Sequence, residues 1–304
     1  MKVAVLYGGV SGEREVSLSS GKGIITALQK KGHDVIGIDF NPSKINELLT
    51  LDVDVVFIGL HGRFGEDGRI QGLLDMLNIP YVGSGVLGSA LAMNKVKAKR
   101  ILEREGIRVA RDQTLNVATF DSEKFKFELN YPVVVKPARE GSTIGLTIAH
   151  NEQELMAGID EGFKHDEDIL IEEFIEGMEV TVAVLGGKGK EQALPVIEIV
   201  PKNKFYDYEA KYAPGGSAHI IPARVSAEIT EYLQKNAVLA HQSLDCKTYS
   251  RTDFIVPKDG SLPVALEVNT LPGMTPTSLF PDAAREIGLS YEDMIERLIE
   301  LTLK

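Results

Sequence analysis

The sequence predicts an α/β fold that gives way to α+β after its first third. Short, continuous apolar runs alternate with amphipathic helical stretches up to about residue 85. A long helical pattern over 85–106 ends that alternation. Beyond it, short strands gather with few helices between them. At 304 residues the chain has room for two or three domains, at roughly 150 residues each.

Residues 2–7 form an apolar run too continuous for a strand exposed on one face, which points to a parallel sheet covered on both sides. Residues 16–30 carry Val16, Ile24, Ala27 and Leu28 at helical spacing and stop at Gly32, a natural helix end. A strand at 35–40, a short helix at 45–49 and a strand at 53–60 follow. Ile70, Leu73, Leu74 and Leu77 then mark a helix, and 79–82 a strand. Such alternation with short connections builds an open sheet whose ligand crevice lies at the carboxyl ends of its strands. Two loops there read GGVSGERE and HGRFGEDG.

After the helix at 85–106, strands are expected near Asn116 and over 133–136, 146–149 and 169–173, with a helix at 152–163. A third region opens at Gly177 with a strand at 180–185. It continues with strands at 193–200, 249–256 and 263–268 and helices at 227–243, 283–287 and 291–303. Residues 201–222 show no pattern. A stretch that long inside a compact chain is more often a functional lid than slack. The expected domains are 1–85, 86–175 and 176–304, the last carrying the 201–222 lid.

A composition of 43% hydrophobic and 25% charged residues excludes a mainly disordered chain. With 44 acidic against 33 basic residues the net charge is −11, leaving no surplus of cations for a phosphate backbone; nucleic acid is not an expected partner. A single cysteine, Cys246, excludes an intramolecular disulfide and a cysteine-rich zinc site. The start lacks the long apolar region of a signal peptide, and the best apolar run, 53–60, is interrupted by Asp54. The expectation is a cytoplasmic protein with no membrane partner.

Three constellations can carry chemistry. GGVSGERE opens a helix after the first strand, where free backbone N–H groups receive anions, although its acidic residues equally suit an ordinary first helical turn. VVVKPAREGSTIG places Lys136 at a strand end before a loop whose glycines allow close backbone approach to phosphate. SRTDF and LEVNTLPG put Arg251 with Asp253, and Glu267 with Asn269, two residues apart and so on common strand faces. If the two strands pair across the KDGS turn, two carboxylates and an amide oxygen converge as a hard-cation site suited to Mg²⁺.

Over essentially its whole length the chain resembles the D-alanine–D-alanine ligases of the ATP-grasp superfamily. The resemblance rests on GGVSGEREVSLSSG, LHGRFGEDGRIQGLLD, VVVKPAREGSTIG, and FYDYEAKY with LEVNTLPGMTPTSL, in that order. It implies a three-domain ATP-grasp architecture with an N-terminal open parallel domain and ATP between the second and third domains. It further implies that ATP phosphorylates the carboxylate of one D-alanine and that the amine of a second attacks the acyl phosphate, making a peptidoglycan precursor. By position, Lys95, Lys136 and Lys211 would hold ATP phosphates, Glu172, Glu173 and Ile175 would meet adenine, and Glu179 the ribose. Asp253, Glu267 and Asn269 would hold two Mg²⁺ ions, with Mn²⁺ as a substitute. Glu13, helped by His61, would anchor the first D-alanine's ammonium. Ser278 and Leu279 would receive the second's carboxylate, and Ser142, Tyr212 and Glu13 would link the lid to the substrates. Family members are commonly homodimers.

Charge gathering on the acyl phosphate calls for cations, and the tetrahedral intermediate calls for a preorganised donor; Arg251 and the Gly273 N–H are the candidates. No residue is an unambiguous base for the attacking amine. A D-alanine–D-lactate ligase and a nucleotide-binding module without catalysis are the rival readings. Tyr212 within EAKY favours the dipeptide enzyme, and the full acidic set disfavours the module.

Overall fold

The computed structural model describes residues 1–141, 143–201 and 217–304. Strands β1 (Lys2–Gly8), β2 (Asp34–Phe40), β3 (Val55–Ile58) and β4 (Tyr81–Val82) form a parallel sheet in the order β2-β1-β3-β4, as the apolar runs require. Helices α1 (Arg14–Lys30), α2 (Asn46–Leu49) and α3 (Arg69–Met76) connect them. The loops leaving β1 and β3 at their carboxyl ends are GGVSGERE and HGRFGEDG.

The stretch expected as one helix over 85–106 is two, α4 (Val86–Met93) and α5 (Lys95–Arg104). Asn94 is extended (φ −88°, ψ 96°), and its side chain accepts the Lys97 N–H at 3.1 Å, capping α5. An asparagine competes with the helical backbone in this way, and here it restarts the helix so that Lys95 stands in the first turn.

The second sheet is antiparallel, β5 (Asp112–Asn116), β8 (Asp168–Glu173), β6 (Val133–Pro137) and β7 (Thr147–Ala149) in that order, backed by α6 (Glu152–Gly162). The third comprises β12 (Ser217–Ile220), β11 (Ile197–Pro201), β9 (Gly177–Leu185), β13 (Tyr249–Pro257) and β14 (Val264–Asn269), with β10 (Gln192–Ala193) on β9 and α7 (Ala227–Ser243) alongside. Strand β12 corrects the reading of 201–222 as patternless. Its pairing with β11 is a tertiary match that SAHI does not announce. Helix α8 (Leu279–Glu286) starts earlier than expected, because Pro281 falls in its first turn, where a missing N–H costs nothing.

Helix α9 (Tyr291–Thr302) returns to the N-terminal layer and packs on α1 and β4 through buried Met294, Ile295, Leu298 and Ile299. Lys30–Glu292 (2.8 Å), Lys31–Asp293 and His33–Glu296 (2.6 Å) rim this contact. Exposed pairs contribute little, so the apolar seam supplies most of the adhesion. No helix among the described residues is long and apolar enough to cross a membrane.

Candidate active site

A cavity of about 230 Å³ lies between the second and third sheets. Val134 and Lys136 reach it from β6, Ile148 from β7 and Glu172 from β8; Glu179 comes from β9, Asp253 and Ile255 from β13, and 173–175 close the hinge side. Leu266 and Glu267 are consecutive on β14 yet both line it. Simple alternation would put them on opposite faces. The register explains the exception: Asp253 pairs with Glu267 but Phe254 pairs with Ala265, leaving Leu266 as the extra residue of a bulge. The bulge adds an apolar side chain beside the carboxylates. The lining therefore mixes aliphatic Val134, Ile148 and Leu266 with charged Lys136, Glu172, Asp253 and Glu267.

Glu172 is buried, and its carboxylate meets both Lys136 and Lys99. Burial opposes its charge, but the two ammonium groups outweigh it and hold the carboxyl below the usual range. For Lys136 burial likewise opposes charge, and Glu172 wins, raising the ammonium above its ordinary value. Lys99 also reaches Asp112 at 3.3 Å. The sequence reading missed Lys99. The available signal was its i,i+4 spacing from Lys95 on α5, which puts both lysines on one helical face.

The acidic set behaves as its spacing predicts. Arg251 faces Asn269 and Asp253 faces Glu267 across β13 and β14. Arg251 grips Asp253 through two bonds of 2.9 and 2.8 Å, Thr181 donates to Asp253 at 2.5 Å, and the Asn269 amide nitrogen donates to it at 3.0 Å. Lys95 lies 3.3 Å from Glu267 and donates to the Glu140 carbonyl at 2.7 Å. Among the described residues no three His, Cys, Asp or Glu form a stand-alone metal cage. Mg²⁺ shared with phosphate oxygens does not need one, and Asp253, Glu267 and the Asn269 amide oxygen match its preference for hard oxygen donors.

Next to the cavity, three loops converge on buried Glu13. A Cβ on Gly62 would stand 2.9 Å from the Glu13 carboxylate, and one on Gly141 would stand 3.2 Å from it. Gly62 also has φ +66°, so its lack of a side chain is required twice over. Glu66, absent from the sequence reading, accepts the Gly62 N–H at 2.5 Å. Burial and nearby Glu13 push its carboxyl up to about 8.

His61 is buried. Its Nδ1 bonds the Leu271 carbonyl at 3.1 Å and its Nε2 meets the Ser20 hydroxyl at 3.1 Å. Burial favours the neutral ring and lowers its pKa against the pull of Glu13. Gly273 lies in the loop that His61 grips, with Ser278 beneath it and Leu279 opening α8. The Ser278 hydroxyl accepts the Thr275 N–H at 3.1 Å. Ser142, Lys211 and Tyr212, with Tyr206 and Tyr208 of the expected lid, lie outside the described residues.

The chain matches the family model described as D-ala D-ala ligase N-terminus over residues 41–84 and that described as D-ala D-ala ligase C-terminus over 101–300. It is 67% identical to the D-alanine–D-alanine ligase of Halalkalibacterium halodurans, with 100% of both chains covered. Among solved structures, a Bacillus anthracis D-alanine–D-alanine ligase complexed with ATP matches at 34% identity and a TM-score of 0.85, covering 100% of this chain and 97% of that one. The VanG D-Ala:D-Ser ligase of Enterococcus faecalis matches at 33% and 0.85, covering 99% of each.

Proposed function

This chain belongs to the D-alanine–D-alanine ligase family, and from that premise we propose how its residues perform the reaction. The enzyme joins two D-alanines with ATP as the energy source, for peptidoglycan synthesis. The observation that carries the site reading is the shared cavity: apolar Val134, Ile148 and Leu266 together with Lys136, Asp253 and Glu267, and Glu13 on the loops beside it.

In this reading adenine lies against Val134, Ile148 and Leu266, with Glu172 and the 173–175 backbone offering its polar edge partners and Glu179 the ribose. Lys95, Lys136 and Lys211 neutralise phosphate oxygens. Asp253, Glu267 and Asn269 would hold two Mg²⁺ ions, or Mn²⁺ in their place, which would supply charge neutralisation as the phosphoryl group moves. Glu13 anchors the ammonium of the first D-alanine, whose carboxylate becomes the acyl phosphate. The second enters with its carboxylate at Ser278 and Leu279, at the N-terminus of α8. As its amine attacks, Arg251 and the Gly273 N–H receive the oxyanion, and phosphate leaves.

We place the reaction in the cytoplasm, where ATP is available. We further propose a homodimer, which exposed Met76, Val86 and Leu87 on the adjoining helices α3 and α4 support; light scattering on the purified chain tests it. The reaction is tested by following ADP and product with D-alanine, L-alanine, D-serine and D-lactate as separate acceptors. Dipeptide formation greatest with D-alanine is expected. Preferential ester or D-alanyl-D-serine formation would overturn the assignment of the acceptor.

A further inference from the structure

The loop that carries Gly273 is held from two sides by residues that do not line the cavity. On one side, the His61 Nδ1–H donates to the Leu271 carbonyl at 3.1 Å. That carbonyl can only accept, so the proton sits on Nδ1 and Nε2 is the ring's acceptor. The Ser20 hydroxyl, fully buried on α1, therefore donates to Nε2 at 3.1 Å, and the same oxygen accepts the Met274 N–H at 3.2 Å. Ser20, His61, Leu271 and Met274 close a hydrogen-bonded ring with Gly273 inside its span. On the other side, the Tyr291 hydroxyl, from the first turn of α9, donates to the Met274 carbonyl at 2.5 Å. Both polar groups of the Met274 backbone are thus pinned, each by a hydroxyl from a different helix. The Gly273 N–H meets no acceptor among the described residues.

We propose that Ser20 and Tyr291 are positioning residues, which fix this loop so that the Gly273 N–H meets the oxyanion formed when the amine attacks the acyl phosphate. The proposal rests on the ligase reading above. Neither residue touches the reacting atoms; each acts through Met274, and Ser20 also through its hydrogen bond to His61 Nε2. A donor stabilises an oxyanion only if it is already aimed at the place where charge develops. Release of either anchor misaims the donor without removing it.

The consequence is specific to the second half of the reaction. Phosphoryl transfer precedes the oxyanion, so ADP formation continues. Amine attack slows, and the acyl phosphate is lost to water at its other centre: water attacks the phosphorus, the bond from phosphorus to the acyl oxygen breaks, and D-alanine and inorganic phosphate return without dipeptide and without an oxyanion on the acyl carbon.

The test measures ADP and D-alanyl-D-alanine together in the wild type, Ser20→Ala and Tyr291→Phe at saturating ATP and D-alanine. The wild type should give one ADP per dipeptide. The variants should make dipeptide roughly ten- to a hundredfold more slowly, with ADP per dipeptide rising to at least about two and KM for ATP unchanged. Tyr291→Phe removes one oxygen from a partly buried ring, so it carries the test if Ser20→Ala does not fold. A folded variant that keeps one-to-one stoichiometry, at any rate, overturns the proposal, because general destabilisation lowers both products equally. A wild type that makes no dipeptide would instead refute the ligase reading itself.

Discussion

Lys136 and Glu172 stand diagonally across the antiparallel pair β6 and β8 and meet as a buried ion pair, Lys136 being in register with Leu170 and Glu172 with Val134. A buried pair is costly to form and costlier to break, because removing one partner strands the other charge. Glu172→Ala strands Lys136 and leaves Lys99 with Asp112 alone. We expect a loss of about 3–5 kcal/mol in unfolding free energy and a raised KM for ATP. Denaturant unfolding of the two proteins checks this, and a change under about 1 kcal/mol would contradict the pairing.

Glu267→Gln and Asp253→Asn should differ in a way that sequence alone did not suggest. Both remove a carboxylate proposed to hold Mg²⁺, so turnover should fall at least about a hundredfold in each. Asp253 also holds the poorly exposed Arg251 through two bonds, whereas Glu267 meets Lys95 through one 3.3 Å contact, so Asp253→Asn should lose more stability, by roughly 2–4 kcal/mol. Near-normal turnover of Glu267→Gln at high Mg²⁺ would remove it from the metal set. Equal melting of the two variants would remove the Arg251 argument.

Glu66 gives the ligand-free protein a pH signature. Its carboxyl is raised from the ordinary carboxylate range to about 8 in the folded state. Between those limits the folded protein holds a proton that the unfolded chain has released, so this contribution is complete at acid pH and is lost as pH climbs through about 8. The slope is at most about 1.4 kcal/mol per pH unit. Glu66→Gln, neutral throughout, should lack this decline. Unfolding measured from about pH 5 to 9 compares the two proteins, and parallel curves would place the Glu66 carboxyl in water.

Two glycines with similar backbones separate conformation from contact. Gly32 has φ +81° with nothing near a new Cβ, whereas Gly62 has φ +66° and would drive its Cβ against the Glu13 carboxylate. Gly32→Ala should cost about 1 kcal/mol of stability and leave KM for D-alanine alone. Gly62→Ala should cost more and raise that KM, since Glu13 must shift. Identical kinetics for the two variants would mean that Glu13 does not anchor the substrate.

What could be read from the chain follows from how far apart the partners lie. Arg251, Asp253, Glu267 and Asn269 were legible because i,i+2 spacing fixes faces and a short turn fixes pairing. The bulge at Leu266 was not, since it depends on register rather than on pattern. Lys99 and Ser20 were hidden for a related reason: their partners Glu172 and Met274 lie 73 and 254 residues away, and each looks like an ordinary helical residue. His61 was noticed as a histidine beside a glycine turn, but its role depended on which groups held its two nitrogens. The break at Asn94 was missed because apolar periodicity continues on either side of it, although asparagine is a capping residue type.

The return of α9 to α1 also sets an order on the making of the enzyme. The ribosome delivers the parallel sheet first, and its strands can pair as soon as residue 82 is free. Tyr291 and the helix behind it emerge only after the strands of both antiparallel sheets, yet the Gly273 loop takes its second anchor from them. A nascent chain can therefore fold its first layer early and still lack a fully anchored Gly273 loop until Tyr291 has been made. Truncation before Tyr291 should likewise leave that loop half-anchored, whatever the state of the nucleotide cavity.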